Sequence, residues 1–414
     1  MKADVVVIGA GPGGLMAAKT AAERGMKVVL VESRKDISVI TRTCCQIFYL
    51  THIGSGQSYS GPVRAEIGQD SNMKFIFPDL DLAVSYKGLL RSCYDWRYLS
   101  PEGTCVYTAF NKLWGLVFDK GLLLQQLLDE VRNLNVEVRL ETTALDIRND
   151  GGKTITTVRG RDGSTEDLEA KYAIVANGVN SRLVEKLGLN QERKQLSPPI
   201  KVFAYIMEGV ECPYPPSTWV TFQYPSITPF INVWMGPMCE GTWQLAATAK
   251  HPDSAPDIMK NFLDSSHYAA WYKNARIISK SSCTLTPRMP INEPVVDNIM
   301  VIGDAAAPAE TWVQGALACA WQAVRAMEKN AMQEYIAWWK GAFHFNTPKY
   351  YEELARYPAL NMFMTDEELN YLYRLMKGKV VDWIFYEAMR HAEQIKAERP
   401  EVYEKLLKIE KMKG

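Results

Sequence analysis

Apolar residues in this chain follow two rhythms, one with the period of a strand and one with that of a helix. Asp4 to Ile8 reads DVVVI, a short β-branched run that predicts a strand buried on both faces of a parallel sheet. GAGPGG, Gly9 to Gly14, interrupts it. LMAAKTAAERG then predicts a helix that ends near Gly25, a glycine C-cap. A second apolar run from Lys27 to Val31 stops at Glu32, completing the grammar of a βαβ unit. Phe118 to Asn133 predicts another helix, with Leu122, Leu123, Leu127, Leu128 and Val131 at helical spacing, and Val136 to Leu140 alternates like a strand. Thr143 to Glu169 predicts a β-meander with turns at Asn149 to Gly152 and at Asp162-Gly163. Tyr172 to Ala176 predicts a further apolar strand, stopped by Asn177-Gly178.

Between Lys201 and Thr248 the texture changes. KVFAYIME, TWVTFQY, PFINVWM and TWQLAATA are strand-like, aromatic-rich and separated by Pro and Gly, as in an antiparallel sheet. Asn298 to Ile302 returns to a short apolar strand, followed by GDAA and a helix from about Val313. After Asn330 the pattern is helical to the end, with breaks at Pro348, Pro358 and Pro400. The aromatic segment interrupts the Rossmann-like elements, so the domains are expected to be discontinuous in sequence. Residues 1–190 form the first part of a dinucleotide-binding domain, with an inserted segment at about 60–110. Residues 195–282 form an antiparallel substrate domain, 283–330 return to the first domain, and 331–414 form a C-terminal helical region.

The six-residue turn carries the first chemistry. Gly9, Gly11 and Gly14 make G-x-G-x-x-G after a strand and at the mouth of a helix. In that context Gly9 permits the tight turn, Gly11 lets the backbone approach a pyrophosphate, and Gly14 lets helix and strand pack closely. The helix N-terminus offers free N–H groups and partial positive charge to phosphates. Glu32, at the end of the second strand, is placed to accept the hydroxyls of an adenosine ribose and would repel a 2′-phosphate. A glycine-rich turn with a surface glutamate is the competing explanation. It does not account for both strands and the helix falling in place around it.

Composition narrows the field. Lys+Arg and Asp+Glu each number 47 in 414 residues, so the formal net charge is zero and there is no basic footprint for nucleic acid. Eight cysteines are scattered without CxxC or zinc-ligand spacing, which predicts a reducing, cytoplasmic setting and no metal site. With the first strand beginning at about Asp4, no signal peptide is expected, and no apolar run reaches the length of a membrane span. GxSxG, HExxH and P-loop motifs are absent, so hydrolase and kinase readings have no support.

IMVIGDAA closes an apolar strand at Gly303-Asp304. With the glycine turn and Ala176-Asn177-Gly178, it resembles the geranylgeranyl reductase-like FAD-dependent oxidoreductases. That superfamily includes hydroxybenzoate-hydroxylase-like and electron-transfer flavoprotein:quinone oxidoreductase-like flavoproteins. The resemblance covers about residues 1–330. It implies an α/β fold: a Rossmann-type FAD-binding domain with an inserted antiparallel β-sheet substrate domain and a C-terminal helical region. It also implies that Asp304 binds the ribityl chain of FAD and that the helix after it starts beneath the isoalloxazine, where a helix N-terminus stabilises the negative charge of reduced flavin. Capping the following helix is the simpler role for an Asp at a strand end.

Other segments match in part. Phe118-Asp119-Lys120 resembles a family segment that usually carries an Arg and then Phe-Asp, so Lys120 replaces that Arg. Ala176 to Arg182 resembles Asp-Gly-x-x-Ser-x-x-Arg, with Asn177 for the Asp. Phe230 to Pro237 resembles the reductases' Tyr-x-Trp-x-Phe-Pro. Trp234 and Pro237 match, while Asn232 and Gly236 depart. After GDAA the family has a Pro and a Gly-rich turn. Here the segment is Glu310 to Ala316, with Gly315 alone in place. The cofactor-binding set expected from all of this is Gly9, Gly11, Gly13, Gly14, Glu32, Ser33, Arg42, Lys120, Gly178, Gly303, Asp304, Gly315 and Ala316.

Arg42, Cys44 and Cys45 follow the second strand in TRTCCQIF. In the reductases a cysteine of this region lies near flavin and substrate, and a thiol donates a proton or forms a polarisable wall. Small buried hydrophobes are the alternative for Cys44 and Cys45. Arg42 either pairs with an FAD phosphate or is a surface charge. His52 is a third proton-shuttling candidate against a structural role. Tyr205, Trp219, Phe222, Trp234 and Trp243 are expected on the faces of the substrate sheet and together suggest an apolar or planar ligand. The aromatics of the C-terminal region, such as Trp338, Trp339, Tyr373, Trp383 and Phe385, suit a substrate cover, a shallow membrane contact or plain packing.

Only one GxGxxG is present, and Gly54-Ser55-Gly56 lacks a preceding strand. Reducing equivalents are therefore expected from a transiently docked NAD(P)H or from a protein electron donor. Three functions remain open: reduction or dehydrogenation of a carbon–carbon bond in an apolar substrate, aromatic hydroxylation with NAD(P)H and O₂, and electron carriage to a protein or quinone partner.

Overall fold

The computed structural model describes residues 2–51, 53, 59–67, 72–250, 255–308 and 311–412. Its centre is a parallel sheet. The strand Lys2–Ile8 lies between Val28–Val31 and the second half of Thr165–Val175. The strands Val136–Arg139 and Ile299–Val301 extend it on either side, all parallel. Val5, Val6 and Val7 are fully buried, as a strand covered on both faces requires. The helices Pro12–Glu23, Lys120–Arg132 and Trp312–Glu328 supply the cover.

The meander expected from Thr143 is present as Thr143–Asp150, Lys153–Arg159 and Thr165–Val175. The strand expected separately at Tyr172 is the continuation of its last member. Thr165 to Ala170 pairs antiparallel with Lys153–Arg159, while Tyr172 to Val175 pairs parallel with the first strand. One eleven-residue strand thus joins both sheets, and no turn chemistry between Glu169 and Tyr172 was available to break it.

The aromatic sheet has seven strands, in the order Arg276–Leu285, Ile200–Glu208, Trp243–Ala249, Val233–Pro237, Thr218–Phe222, Asp95–Leu99 and Cys105–Ala109. Two strands therefore come from far upstream of Ile200. Thr218–Phe222 runs parallel to Asp95–Leu99, the one parallel junction in a sheet expected to be antiparallel throughout. A register joined across more than a hundred residues of chain leaves no local sequence signal. Alternation sorts the aromatic side chains. Trp219 and Trp234 pack on one face with Ile47, Tyr49 and Trp114, whereas Tyr205, Phe222 and Trp243 pack on the other face with the helix Ala255–Ser265.

Short helices fill the C-terminal region, including Met332–Gly341, Pro348–Arg356, Ala359–Phe363 and Asp366–Leu375. The breaks fall at Pro348, Pro358 and Pro400, as expected. The segment around Lys379 bonds to the outer edge of Cys105–Ala109, so the exposed edge of the sheet is covered. Trp339, Tyr373 and Phe385 are buried, which assigns them to packing. Among the described residues, no helix is long and apolar enough to cross a membrane.

Candidate active site

A cleft of about 360 Å³ runs along the carboxyl ends of the parallel strands. Backbone contacts set its first wall. Gly9 has φ of +103°, and a Cβ there would lie 2.6 Å from the Ala176 carbonyl oxygen. A Cβ on Gly14 would lie 1.7 Å from the Gly9 carbonyl oxygen, so helix and strand meet backbone to backbone. A Cβ on Gly11 would meet nothing within 4 Å, because Gly11 faces the cleft. Pro12 occupies the first turn of the helix, where its missing N–H costs nothing.

Glu32 is buried at the end of the second strand. One carboxylate oxygen accepts from the Ala10 backbone N–H at 2.7 Å. The other accepts from the Arg34 backbone N–H at 2.8 Å, Arg34 Nε at 3.0 Å and Ser33 Oγ at 3.2 Å. Burial favours protonation, but the Arg34 guanidinium and the backbone N–H groups outweigh it and hold the carboxyl below its ordinary value. Glu32 therefore ties the glycine turn to the second strand as well as facing the cleft.

At the opposite end, Gly303 turns with φ of +62° and Asp304 follows. Asp304 Oδ1 accepts from the Thr311 backbone N–H at 2.7 Å and from Thr311 Oγ1 at 2.9 Å. Oδ2 pairs with Arg42 at 2.5 Å. Arg42 is thus held within the structure: it bridges the loop after the second strand to the Gly303-Asp304 turn and lines the cleft. Asp304 is held below its ordinary 3.8: burial opposes ionisation, and Arg42 and Thr311 overcome it. Stability from a depressed carboxyl is complete above its unfolded value and lost as pH falls through its folded one. Asp304→Asn is therefore expected to lower stability by about 1.5–3 kcal/mol near neutrality. The gap between variant and parent should close as pH drops below about 3.8. Thermal melts across pH check this, and a gap that stays constant with pH refutes it.

Most of the expected residues reach the cleft: Gly9, Gly11, Gly13, Glu32, Ser33, Arg42, Cys44, Lys120, Gly178, Gly303, Asp304 and Ala316. Gly14 and Gly315 do not. Gly14 packs on the turn, and a Cβ on Gly315 would lie 2.8 Å from the Phe343 ring, so that glycine admits a neighbouring aromatic. Cys45 points away from the cleft into an aromatic cluster with Tyr49, Trp114, Trp219 and Trp234. His52, Gly54 to Gly56 and Glu310 lie outside the described residues.

Sequence reasoning missed Trp312. It lines the cleft, meets Tyr49 edge-on at 5.0 Å, and has φ of +59°, a strained value for a bulky residue. Its neighbour Thr311, wholly buried, was missed too. A Trp where a Gly-rich turn was expected was the available signal.

The cleft fits a flavin dinucleotide. Gly11 leaves room for a pyrophosphate at a helix N-terminus, and Glu32 and Asp304 stand at opposite ends as acceptors for hydroxyl groups. Family models agree: a pyridine nucleotide-disulphide oxidoreductase model matches residues 3–197, and an FAD binding domain model matches residues 117–309. The protein is an FAD-dependent oxidoreductase.

The digeranylgeranylglycerophospholipid reductase of Methanothrix thermoacetophila is 28% identical over 334 residues, 78% of this chain and 76% of that one. Its counterpart from Methanocaldococcus jannaschii is 24% identical over 401 residues, 92% of each chain. The crystal structure of a geranylgeranyl bacteriochlorophyll reductase-like protein from Thermoplasma acidophilum shares the fold over 99% of both chains, with a TM-score of 0.70 and 21% identity. The chain is thus similar in sequence to the digeranylgeranylglycerophospholipid reductases and in fold to the geranylgeranyl bacteriochlorophyll reductase-like protein.

Proposed function

We propose that this enzyme reduces carbon–carbon double bonds of an apolar substrate, isoprenoid-like or acyl. The observation that carries the reading is the apolar cluster behind the cofactor cleft. Ile47 and Trp312 belong to both the cluster and the cleft wall. Ile53 and Trp96 belong to both the cluster and a second cavity on its far side. Trp114 stacks on Trp96 at 4.8 Å and meets Trp219 at 6.2 Å. An apolar wall between a flavin cleft and a further cavity suits an apolar chain with few polar handles. The similarity to digeranylgeranylglycerophospholipid reductases supports an isoprenoid lipid.

In this reading the N–H groups behind Gly11 and Gly13 hold the pyrophosphate, and Glu32 with Ser33 holds the adenosine ribose. Arg42, Asp304, Lys120, Gly178, Gly303 and Ala316 line the ribityl and ring end. Bound FAD supplies hydride chemistry at N5. Cys44 and Cys45 bracket the loop between cleft and apolar cluster, and a thiol there delivers a proton to the second carbon of the double bond. The electron donor is a transiently docked NAD(P)H or a protein carrier.

Reduced enzyme mixed anaerobically with an isoprenoid or acyl alkene is expected to be reoxidised without oxygen, giving a product with two more hydrogens. Stopped-flow absorbance with product mass analysis tests this. Reoxidation that requires O₂ and adds an oxygen atom would replace the reading with a monooxygenase. Reoxidation by a protein or quinone alone would leave an electron carrier.

A further inference from the structure

Two arginines far apart in the chain are brought onto one face with no acid to balance them. Residues 194–196 run antiparallel beside 287–289. The Met289 N–H donates to the Lys194 carbonyl at 2.8 Å, the Leu196 N–H donates to the Pro287 carbonyl at 2.9 Å, and Gln195 stands opposite Arg288. Side chains alternate along extended backbone, so Arg193 shares a face with Gln195, and Arg288 lies on that face as the diagonal neighbour of Arg193.

Both arginines are tied to the turn that carries Asp304. Arg193 Nη2 donates to the Ala307 carbonyl at 2.8 Å, and Nε donates to the Met289 carbonyl at 2.6 Å. The Arg288 backbone N–H donates to the Pro308 carbonyl at 3.1 Å. Ala307 in turn gives its own N–H to the Gly303 carbonyl at 3.2 Å. Gly303 and Asp304 line the cofactor cleft, so the pair borders that end of it, away from the glycine turn.

Among the described residues, neither guanidinium forms an ion pair with a carboxylate, and the Arg288 side chain makes no hydrogen bond. Glu185 reaches Arg193 only through Asn190, which donates to Glu185 Oε1 at 2.6 Å and accepts from Arg193 Nη1 at 2.7 Å. Burial and the like charge of Arg288 push the Arg193 guanidinium down to about 10. Like charges side by side on paired strands destabilise, and a cation drawn out of water calls for a counter-ion. Two planar forks with two unbalanced charges match a dianion with several oxygens, which is the chemistry of a phosphate or diphosphate.

We propose that Arg193 and Arg288 form a second phosphate site, which takes the phosphate or diphosphate group of a molecule approaching the Asp304 end of the cleft from outside. The FAD pyrophosphate is accounted for at the glycine turn, so this site serves another ligand. A nicotinamide dinucleotide donor and an isoprenoid with a phosphate head both carry the required group. The site stands on the arginine pair and is independent of which reaction the cofactor runs.

The test uses the FAD-loaded enzyme, with inorganic diphosphate as the probe in a phosphate-free buffer of low salt. In the parent, diphosphate at about 100 times its Kd should raise the melting temperature by roughly 2–4 °C. Calorimetry should show binding that weakens as salt is added. Arg288→Gln should weaken diphosphate binding at least roughly tenfold. Without diphosphate the same variant should melt no lower than the parent, because a like-charge neighbour is gone. An arginine with a purely structural role gives the reverse: a lower melting temperature and unchanged binding. Arg288→Lys keeps the charge but loses the fork, so its affinity should fall between the two, and it serves if Arg288→Gln folds poorly. Titrations with NADPH and with a soluble isoprenoid diphosphate then separate the sources. A tenfold higher KM for NADPH in flavin reduction by Arg288→Gln assigns the site to the donor, and a tenfold weaker isoprenoid diphosphate assigns it to the substrate. A parent that binds no diphosphate overturns the site. So does an Arg288→Gln variant that binds diphosphate, NADPH and the isoprenoid diphosphate as the parent does. An enzyme that shows the binding differences yet reduces no alkene refutes the reduction reading and leaves the phosphate site in place.

Discussion

Gly14→Ala is expected to give a protein that carries no flavin and melts at a clearly lower temperature. The added Cβ would sit 1.7 Å from the Gly9 carbonyl oxygen, a backbone atom that cannot rotate away. Helix and first strand would have to separate, yet both are wholly buried at this point, with Leu15, Ala17 and Val7 inaccessible to solvent. Displacements of that kind belong to the exceptional class of substitutions that cost about 4 kcal/mol or more. Gly11→Ala makes the contrast. Its Cβ meets nothing within 4 Å, so the fold should survive, while the methyl occupies the space through which a pyrophosphate approaches. Differential scanning fluorimetry and the flavin absorbance of the purified variants separate the two. Equal melting temperatures and full flavin content in Gly14→Ala would show that the turn relaxes and that the close packing is not needed.

Glu32→Arg is expected to reduce FAD affinity at least roughly tenfold, since one charged hydrogen bond is worth about 1.5–3 kcal/mol. Read from sequence alone, the substitution weakens binding more than folding. The geometry changes that expectation. Glu32 is buried, accepts from the Ala10 N–H, and balances the charge of Arg34. An arginine there leaves Ala10 without its acceptor and sets two guanidinium groups together in a site with little water. Stability should fall along with affinity. Glu32→Gln keeps the shape and one acceptor oxygen, so it should lose affinity with a smaller drop in melting temperature. Equilibrium dialysis of FAD and thermal melts on the apoproteins measure the two effects apart. An unchanged FAD affinity in Glu32→Arg would show that the carboxylate does not reach the ribose.

The two ends of the cofactor cleft were legible because their signals are local. GAGPGG stands directly between a strand and a helix, and each glycine answers to a neighbour within a few residues or to the adjoining strand. Gly303-Asp304 closes its strand in the same way. Arg42 shows the limit. Its nearness to the second strand suggested a phosphate or solvent, but its partner Asp304 is 262 residues away in the chain. Cys44 and Cys45 could not be told apart from sequence. Successive side chains in an extended loop point in different directions, and the fold turns the first toward the cleft and the second into the aromatic cluster.

The βαβ core, the discontinuous return at Ile299–Val301 and the helical character after Asn330 were determined by periodicity and turn chemistry, which act over a few residues. The membership of the aromatic sheet was decided by tertiary structure alone. Asp95–Leu99 joins Thr218–Phe222 because burying the indoles of Trp96, Trp114 and Trp219 against one another removes more apolar surface from water than either segment could alone. The same holds for Tyr357. In the sequence it is one aromatic residue among many in a helical tail. Only packing of that tail on the sheet brings its hydroxyl to Asn232 and Tyr98, where burial obliges each polar group to find a partner.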